Sequence, residues 1–428
     1  MRLHLTKKQL VILSGLGIRF ALAPVTGHAY DTGVFAFAQR VYFENGIVGL
    51  KTFPTLPPIY FVQLLFYAPY AVLESLGLHD YQLLYHTSFM IEAVFLKIPY
   101  ILADIAIFVV IQRITGRLLP ATLFFFNPLT IYESSVWGIY DPLMLFAVVF
   151  GLLLLKRNSV LMSSLAFSLA GALKLFGFLP LMFVLLKNLI TRRFHTFGLQ
   201  FLLGTLIIGG VVAPILLVGG FYLFLTGFVL RFIGLSGVTS GTVNYSIVYL
   251  LLSGQVKYVP YPTLLILVVV SLFYALESRK GSSLTVLAKW TLIGAIFLNI
   301  FSQAEPQWVA WTIPLAIIYG SLTGRTGLQF YTCVYGTASV FLQDTQSQTG
   351  GFEILGTKTF NLPFIMGYTN TLFVYGMTTF VLLLLMLVYV FQRPVKFKVE
   401  IIAFVILAYL QAYFWLSIVN VPRILGVA

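Results

Sequence analysis

Asp31 lies in the stretch Gly27-His28-Ala29-Tyr30-Asp31-Thr32-Gly33, directly after the first hydrophobic run of the chain. A carboxylate at a membrane surface can take a proton from a bound hydroxyl, and His28 and Tyr30 beside it add polar groups that can meet a substrate. A purely architectural account also exists, since Asp31 precedes an amphipathic stretch and an N-cap is worth about 1 kcal/mol. Capping and proton transfer are compatible.

Three other groups of residues can do chemistry. The tight loop Trp137-Gly138-Ile139-Tyr140-Asp141-Pro142 brings a second acid between two apolar runs. Its aromatic residues also suit interface anchors, and Asp-Pro is a common helix start. Arg19 and Lys174 fall near the ends of apolar runs, where a charge needs a partner: an ion pair, escape of the head group to the interface, or a lipid-linked phosphate. Gln303-Ala304-Glu305-Pro306-Gln307-Trp308 is either a polar turn before a Pro-started helix or a place where Glu305 and Gln307 face a sugar.

The elements that must hold these residues follow from composition. The chain has 428 residues, of which 59% are hydrophobic and 9% charged, with a mean hydropathy of +0.96. Apolar runs repeatedly approach the roughly 20 residues that cross a bilayer as helix. Runs such as 146–155 and 381–391 are apolar on every face, which excludes the alternation of a transmembrane β-barrel. The expectation is an all-α polytopic membrane protein forming one integral membrane domain.

A net charge of +13 would suggest nucleic acid in a soluble protein, but here the basic residues cluster in short connections. Arg2, Lys7 and Lys8, then Arg113 and Arg117, Lys156 and Arg157, Lys187, Arg192 and Arg193, Arg279 and Lys280, Arg325, and finally Arg393, Lys396 and Lys398 are separated by enough apolar chain for two crossings. This positive-inside pattern predicts a cytoplasmic N-terminus, about 13 transmembrane helices and an external C-terminus. No nucleic-acid partner is expected. Asp31, Glu44, Glu74, Asp80, Glu92, Glu133, Asp141, Glu305, Asp344 and Glu353 then lie in outer loops or at outer helix ends, whereas Glu277 and Glu400 lie inside and Asp104 within a span. The outer face is therefore where chemistry is expected.

The predicted order begins with a retained first helix over 9–24 and a long first outer loop, 25–88, carrying juxtamembrane helices. Residues 31–44 form one of these, and 59–73 is read as a juxtamembrane or re-entrant element. Spans follow near 89–112, 118–134, 142–155, 159–173, 175–190 and 198–218, with outer loops 134–141 and 219–261. Later spans lie near 262–277, 284–302, 308–323, 327–343, 365–391 and 400–420. Loop 221–245 is a candidate lid, with Gly234, Gly237 and Gly241 allowing movement and Arg231 able to meet phosphate; a plain flexible connection is the other reading. Asn244-Tyr245-Ser246 reads as a glycosylation sequon. The single cysteine, Cys333, excludes an intramolecular disulfide and a Cys-based metal cluster.

Asp31 in the first outer loop is followed by Pro57-Pro58-Ile59-Tyr60, Leu96-Lys97-Ile98-Pro99 with Ala103-Asp104, and Phe126-Asn127-Pro128. Then come Trp137-Gly138-Ile139-Tyr140-Asp141, Ala172-Leu173-Lys174-Leu175-Phe176 and Pro306-Gln307-Trp308-Val309-Ala310-Trp311. This succession resembles the GT-C glycosyltransferases over roughly residues 1–320, with 321–428 as C-terminal transmembrane helices. It is most similar to the dolichyl-phosphate-mannose and dolichyl-phosphate-glucose enzymes of glycolipid and N-glycan assembly.

The resemblance implies a GT-C-like bundle that moves a hexose from a polyprenyl-phosphate-linked sugar to a hydroxyl of a glycan, lipid or protein acceptor. It places the site on the extracytoplasmic face of the cell membrane or an endoplasmic reticulum equivalent. Asp31 matches the first-loop catalytic acid, Asp141 an acid after the third span, and Lys174 a lysine after a short fifth span. His28, Tyr30, Arg19, Trp137, Lys174, Arg231, Glu305 and Gln307 are the expected substrate-binding residues, among membrane lipids. Tyr30-Asp31-Thr32 departs from the Asp-x-Asp of part of the family, and a reaction without a metal or other cofactor is expected. The rival class is a transporter or lipid flippase using intramembrane Lys97, Asp104, Lys174 and Lys289.

Overall fold

The computed structural model describes residues 5–47, 57–77, 91–224, 261–279, 284–301, 306–346 and 368–391, and every structural statement below concerns these. They are helical throughout, with no strand among them. Helix α1 (Lys7–Leu22) starts in a capping box: Gln9 N–H donates to Thr6 Oγ1 at 3.3 Å, and Thr6 N–H donates to Gln9 Oε1 at 2.8 Å. Helices α2 (Ala29–Asn45) and α3 (Pro57–Ser75) occupy the segment expected to be a long loop with its own helices.

Helix α4 (Ile91–Thr115) is the hub, packing against α1, α2, α3 and the elements that follow. Its length and composition suffice to cross a bilayer. Next come α5 (Leu118–Phe125), α6 (Pro128–Ile131) running into a π-turn (Tyr132–Trp137), α7 (Asp141–Lys156) and α8 (Val160–Leu173). A short 3-10 turn (Leu175–Gly177) leads to α9 (Phe178–Ile190). Helix α10 (Phe194–Phe224) is broken at Gly220, and its portion Phe194–Gly220 is the second helix long and apolar enough to span. The remainder is α11 (Tyr261–Ser278), α12 (Leu284–Phe301), a 3-10 turn (Pro306–Trp311), α13 (Thr312–Thr323), α14 (Thr326–Gln346) and α15 (Tyr368–Phe391).

One expectation changes. Residues 118–134 are not one helix. The Asn127 side chain accepts from Leu129 N–H at 3.0 Å while donating to Thr332 O at 2.8 Å, and Pro128 starts the next helix. An Asn-Pro pair ends one helix and caps the next, because proline lacks the N–H that would continue the ladder. The stretch 59–73, expected as a juxtamembrane or re-entrant element, lies within one continuous helix, α3. Its Ile59, Tyr60, Gln63, Tyr67 and Tyr70 are buried, while Leu65 and Val72 are exposed. Span 400–420, the sequon at Asn244, and Gly234, Gly237 and Gly241 of the candidate lid lie outside the described residues.

Candidate active site at the entrance of α2

The chain between α1 and α2 is pinned by side chains from two directions. Lys97, buried on α4, donates to Ala23 O at 2.9 Å and also to Thr26 O, placing a donor at the carbonyl end of α1. Thr26 Oγ1 lies 2.7 Å from Leu22 O and 3.1 Å from Ser135 O in the π-turn, and His28 N–H donates to Trp137 O at 3.3 Å. This fixes where α2 begins. The cap of α2 is His28, whose Nδ1 accepts from Asp31 N–H at 3.3 Å. Asp31 is thus the third helical residue and not the cap, and its charge benefits from the helix N-terminus.

The π-turn supplies the next contact. Gly138 N–H donates to Glu133 O at 3.0 Å, closing the wide turn, and Gly138 takes φ +82°, which a residue with a side chain rarely adopts. Trp137 is held just before this reversal. Its indole N–H donates to Asp31 Oδ2 at 2.6 Å, and its ring stacks on His28 at 4.6 Å between centroids. His28 Nδ1 lies 3.1 Å from Asp31 Oδ2, with side-chain exposures of 12% and 23%. Burial pushes the Asp31 carboxyl up, but the bonds from His28 and Trp137 and the Lys174 charge outweigh it and hold the group below its ordinary value.

Lys174 approaches from another element. It is the C-cap of α8 in extended conformation, so the chain leaves the helix there and enters the 3-10 turn. Its ammonium donates to both Asp141 oxygens, at 2.9 and 3.0 Å, and Trp311 donates its indole N–H to the same carboxylate. Rings of Tyr140, Trp311 and Trp308 lie 5.2, 5.2 and 5.6 Å from the ammonium, a cation over aromatic faces. Phe176 stacks on Trp311 at 4.7 Å, and Trp308 stacks on it at 4.8 Å.

Asp31, His28, Trp137, Lys174 and Asp141 therefore form one neighbourhood contributed by α2, the π-turn, α7 and α8. Arg19 does not join it directly: fully buried, it pairs with Asp104 at 2.9 Å and lies over Phe125. Asp141 is 0% exposed and engaged through both oxygens, so its geometry is that of a group that positions Lys174. Tyr30 occupies the first turn of α2, and Gln307 the Pro306–Trp311 turn. Arg231 and Glu305 lie outside the described residues.

Sequence reasoning overlooked Trp311 and Tyr140 as walls of the lysine pocket. The spacing of Trp308 and Trp311 was the available signal, because residues three apart share one face of a helical turn. Glu133 was also passed over: it is buried near Asp141, Lys174 and Asp104, and its Oε1 has no hydrogen-bond partner among the described residues. No group of three or more His, Cys, Asp or Glu suited to a metal occurs among the described residues. A comparison with protein-family models and with curated proteins finds no match.

Proposed function

We propose that this chain is a polytopic membrane glycosyltransferase that moves a hexose, mannose or glucose, from a polyprenyl-phosphate donor to an acceptor hydroxyl on the extracytoplasmic face. The carrying observation is the partly exposed Asp31 carboxylate, fixed by Trp137 and His28 and within electrostatic reach of Lys174. A base and a cation close together are what displacement of a phosphate by an alcohol needs. Asp31 takes the acceptor proton as the oxygen attacks the anomeric carbon. Lys174 stabilises the charge growing on the departing polyprenyl phosphate. Attack opposite the leaving group inverts the anomeric configuration.

Membrane residence is supported by side chains that water would not tolerate in such number. Leu202, Leu206 and Leu217 on α10 and Leu272, Phe273 and Leu276 on α11 are more than half exposed, an apolar belt that lipid would cover. Transport, the rival reading, needs charges that line a path. Lys97, Asp104, Lys174 and Lys289 are each held by a protein partner: backbone carbonyls, Arg19, Asp141 and Glu277 respectively. That favours transfer. The test is to incubate purified protein with polyprenyl-phosphate mannose or glucose and a panel of glycan, lipid and peptide acceptors. Transfer of sugar supports the reading; donor-dependent flux without product supports transport and overturns it.

A further inference from the structure

His28 Nδ1 meets two groups that ask opposite things of it. Asp31 N–H, 3.3 Å away, requires a lone pair on that nitrogen, whereas Asp31 Oδ2, 3.1 Å away, requires a proton on it. A neutral imidazole satisfies one at the expense of the other. When one more proton is added to the His28 and Asp31 pair, imidazolium and carboxylate face each other in a charge-assisted hydrogen bond. The Trp137 indole donates to that same carboxylate oxygen and its ring stacks on the imidazole, so the two groups are held in register.

We infer that His28 and Asp31 act as one proton-accepting dyad, in which the proton taken from the acceptor hydroxyl comes to rest on the His28 imidazole. This rests on the transferase reading and adds the fate of the proton. The acceptor O–H bond breaks, and its proton passes to the Asp31 carboxylate and across to His28 Nδ1. The freed oxygen pair bonds the anomeric carbon. The bond from that carbon to the phosphate oxygen breaks, its electrons leaving with the polyprenyl phosphate. The imidazolium returns its proton to solvent after the product departs, through a side chain that is 12% exposed.

Other titratable or charged groups that act on the pair are Lys174 at the end of α8, whose charge acts on Asp31, and Tyr100 on α4, within electrostatic reach of Asp31, Tyr140 and Asp141. A merely architectural His28 would serve as the cap of α2 and as a stacking partner.

His28→Asn separates the two roles, because asparagine is among the best N-caps yet takes up no proton. In full-length purified protein the variant is expected to keep its thermal stability and donor KM. Turnover is expected to fall by about 100-fold or more, and the acid limb of the wild-type pH profile is expected to disappear. In parallel, the imidazole nitrogen NMR signals of labelled histidine, with His28 assigned by its loss in the variant, are expected to shift in Asp31→Asn, where Nδ1 loses its carboxylate partner. His28→Asn with wild-type turnover and pH profile, or His28 nitrogen signals indifferent to Asp31→Asn, would overturn the dyad. Wild-type protein inert toward every donor would overturn the transferase reading alone, and the nitrogen signals then decide the His28 and Asp31 pairing by themselves.

Discussion

Two acid-containing side-chain pairs lie around α4, and their surroundings differ sharply. Arg19 and Asp104 join α1 to α4 with side-chain exposures of 0% and 2%, and Phe125 covers the guanidinium. His28 and Asp31 lie at the start of α2 with exposures of 12% and 23%, near a lysine that retains 10%. The first pair has no room for a ligand, and its charges serve each other. The second is ordered by an indole N–H and an imidazole and keeps partial exposure. Charge type near a helix end therefore does not assign a role; residual access does.

The largest effect is expected where the contrast is broken on the sealed side. Asp104→Asn leaves the Arg19 guanidinium buried without its counter-charge, a loss of about 3–5 kcal/mol. Thermal unfolding in detergent measures it, and replacing both residues by apolar ones of similar volume is expected to restore most of the stability. Lys174→Met tests the open side. It strips the buried Asp141 carboxylate of its cation, so both stability and turnover are expected to fall, whereas Lys174→Arg is expected to retain the fold better than it retains turnover, because a planar guanidinium does not reproduce a point charge among the rings.

Trp137→Phe keeps an aromatic ring beside His28 but removes the N–H that holds Asp31. A hydrogen bond to a charged group is worth about 1.5–3 kcal/mol, so turnover is expected to fall by roughly one to two orders of magnitude at little change in donor KM. The smallest effect is on stability against pH. The Asp31 carboxyl is held below its ordinary value, so what it contributes is complete above about pH 4 and is lost as the pH falls through the folded value. Melting temperatures of wild type and Asp31→Asn are expected to differ near neutrality and to converge in acid; a gap that widens in acid would contradict the assigned direction.

Much of the helix order was legible because apolar runs of fixed length leave few alternatives, as α4, α7 and α8 illustrate. That Asp31, Trp137 and Lys174 lie at the ends of such runs was legible in the sequence. Their partners were not. Trp137 reaches Asp31 across 106 positions and Trp311 reaches Asp141 across 170, and separations of that size carry no periodic signal. Asp31 was the cap that the sequence suggested for α2, and the backbone path held by Lys97 and Thr26 instead makes His28 the cap. The break at Asn127 was hidden because 118–134 is apolar enough to read as one span, although Asn-Pro is a local sign of a helix boundary.

The central claim is that a carboxylate at the start of α2 removes the acceptor proton, and single-turnover transfer from a radiolabelled polyprenyl-phosphate hexose by wild type and Asp31→Asn tests it most directly. Asparagine preserves the size of the side chain and an acceptor for the Trp137 indole, so the fold survives. The account predicts donor binding close to wild type with product formation lowered by about 100-fold or more. Product formed by the variant at the wild-type rate would contradict it.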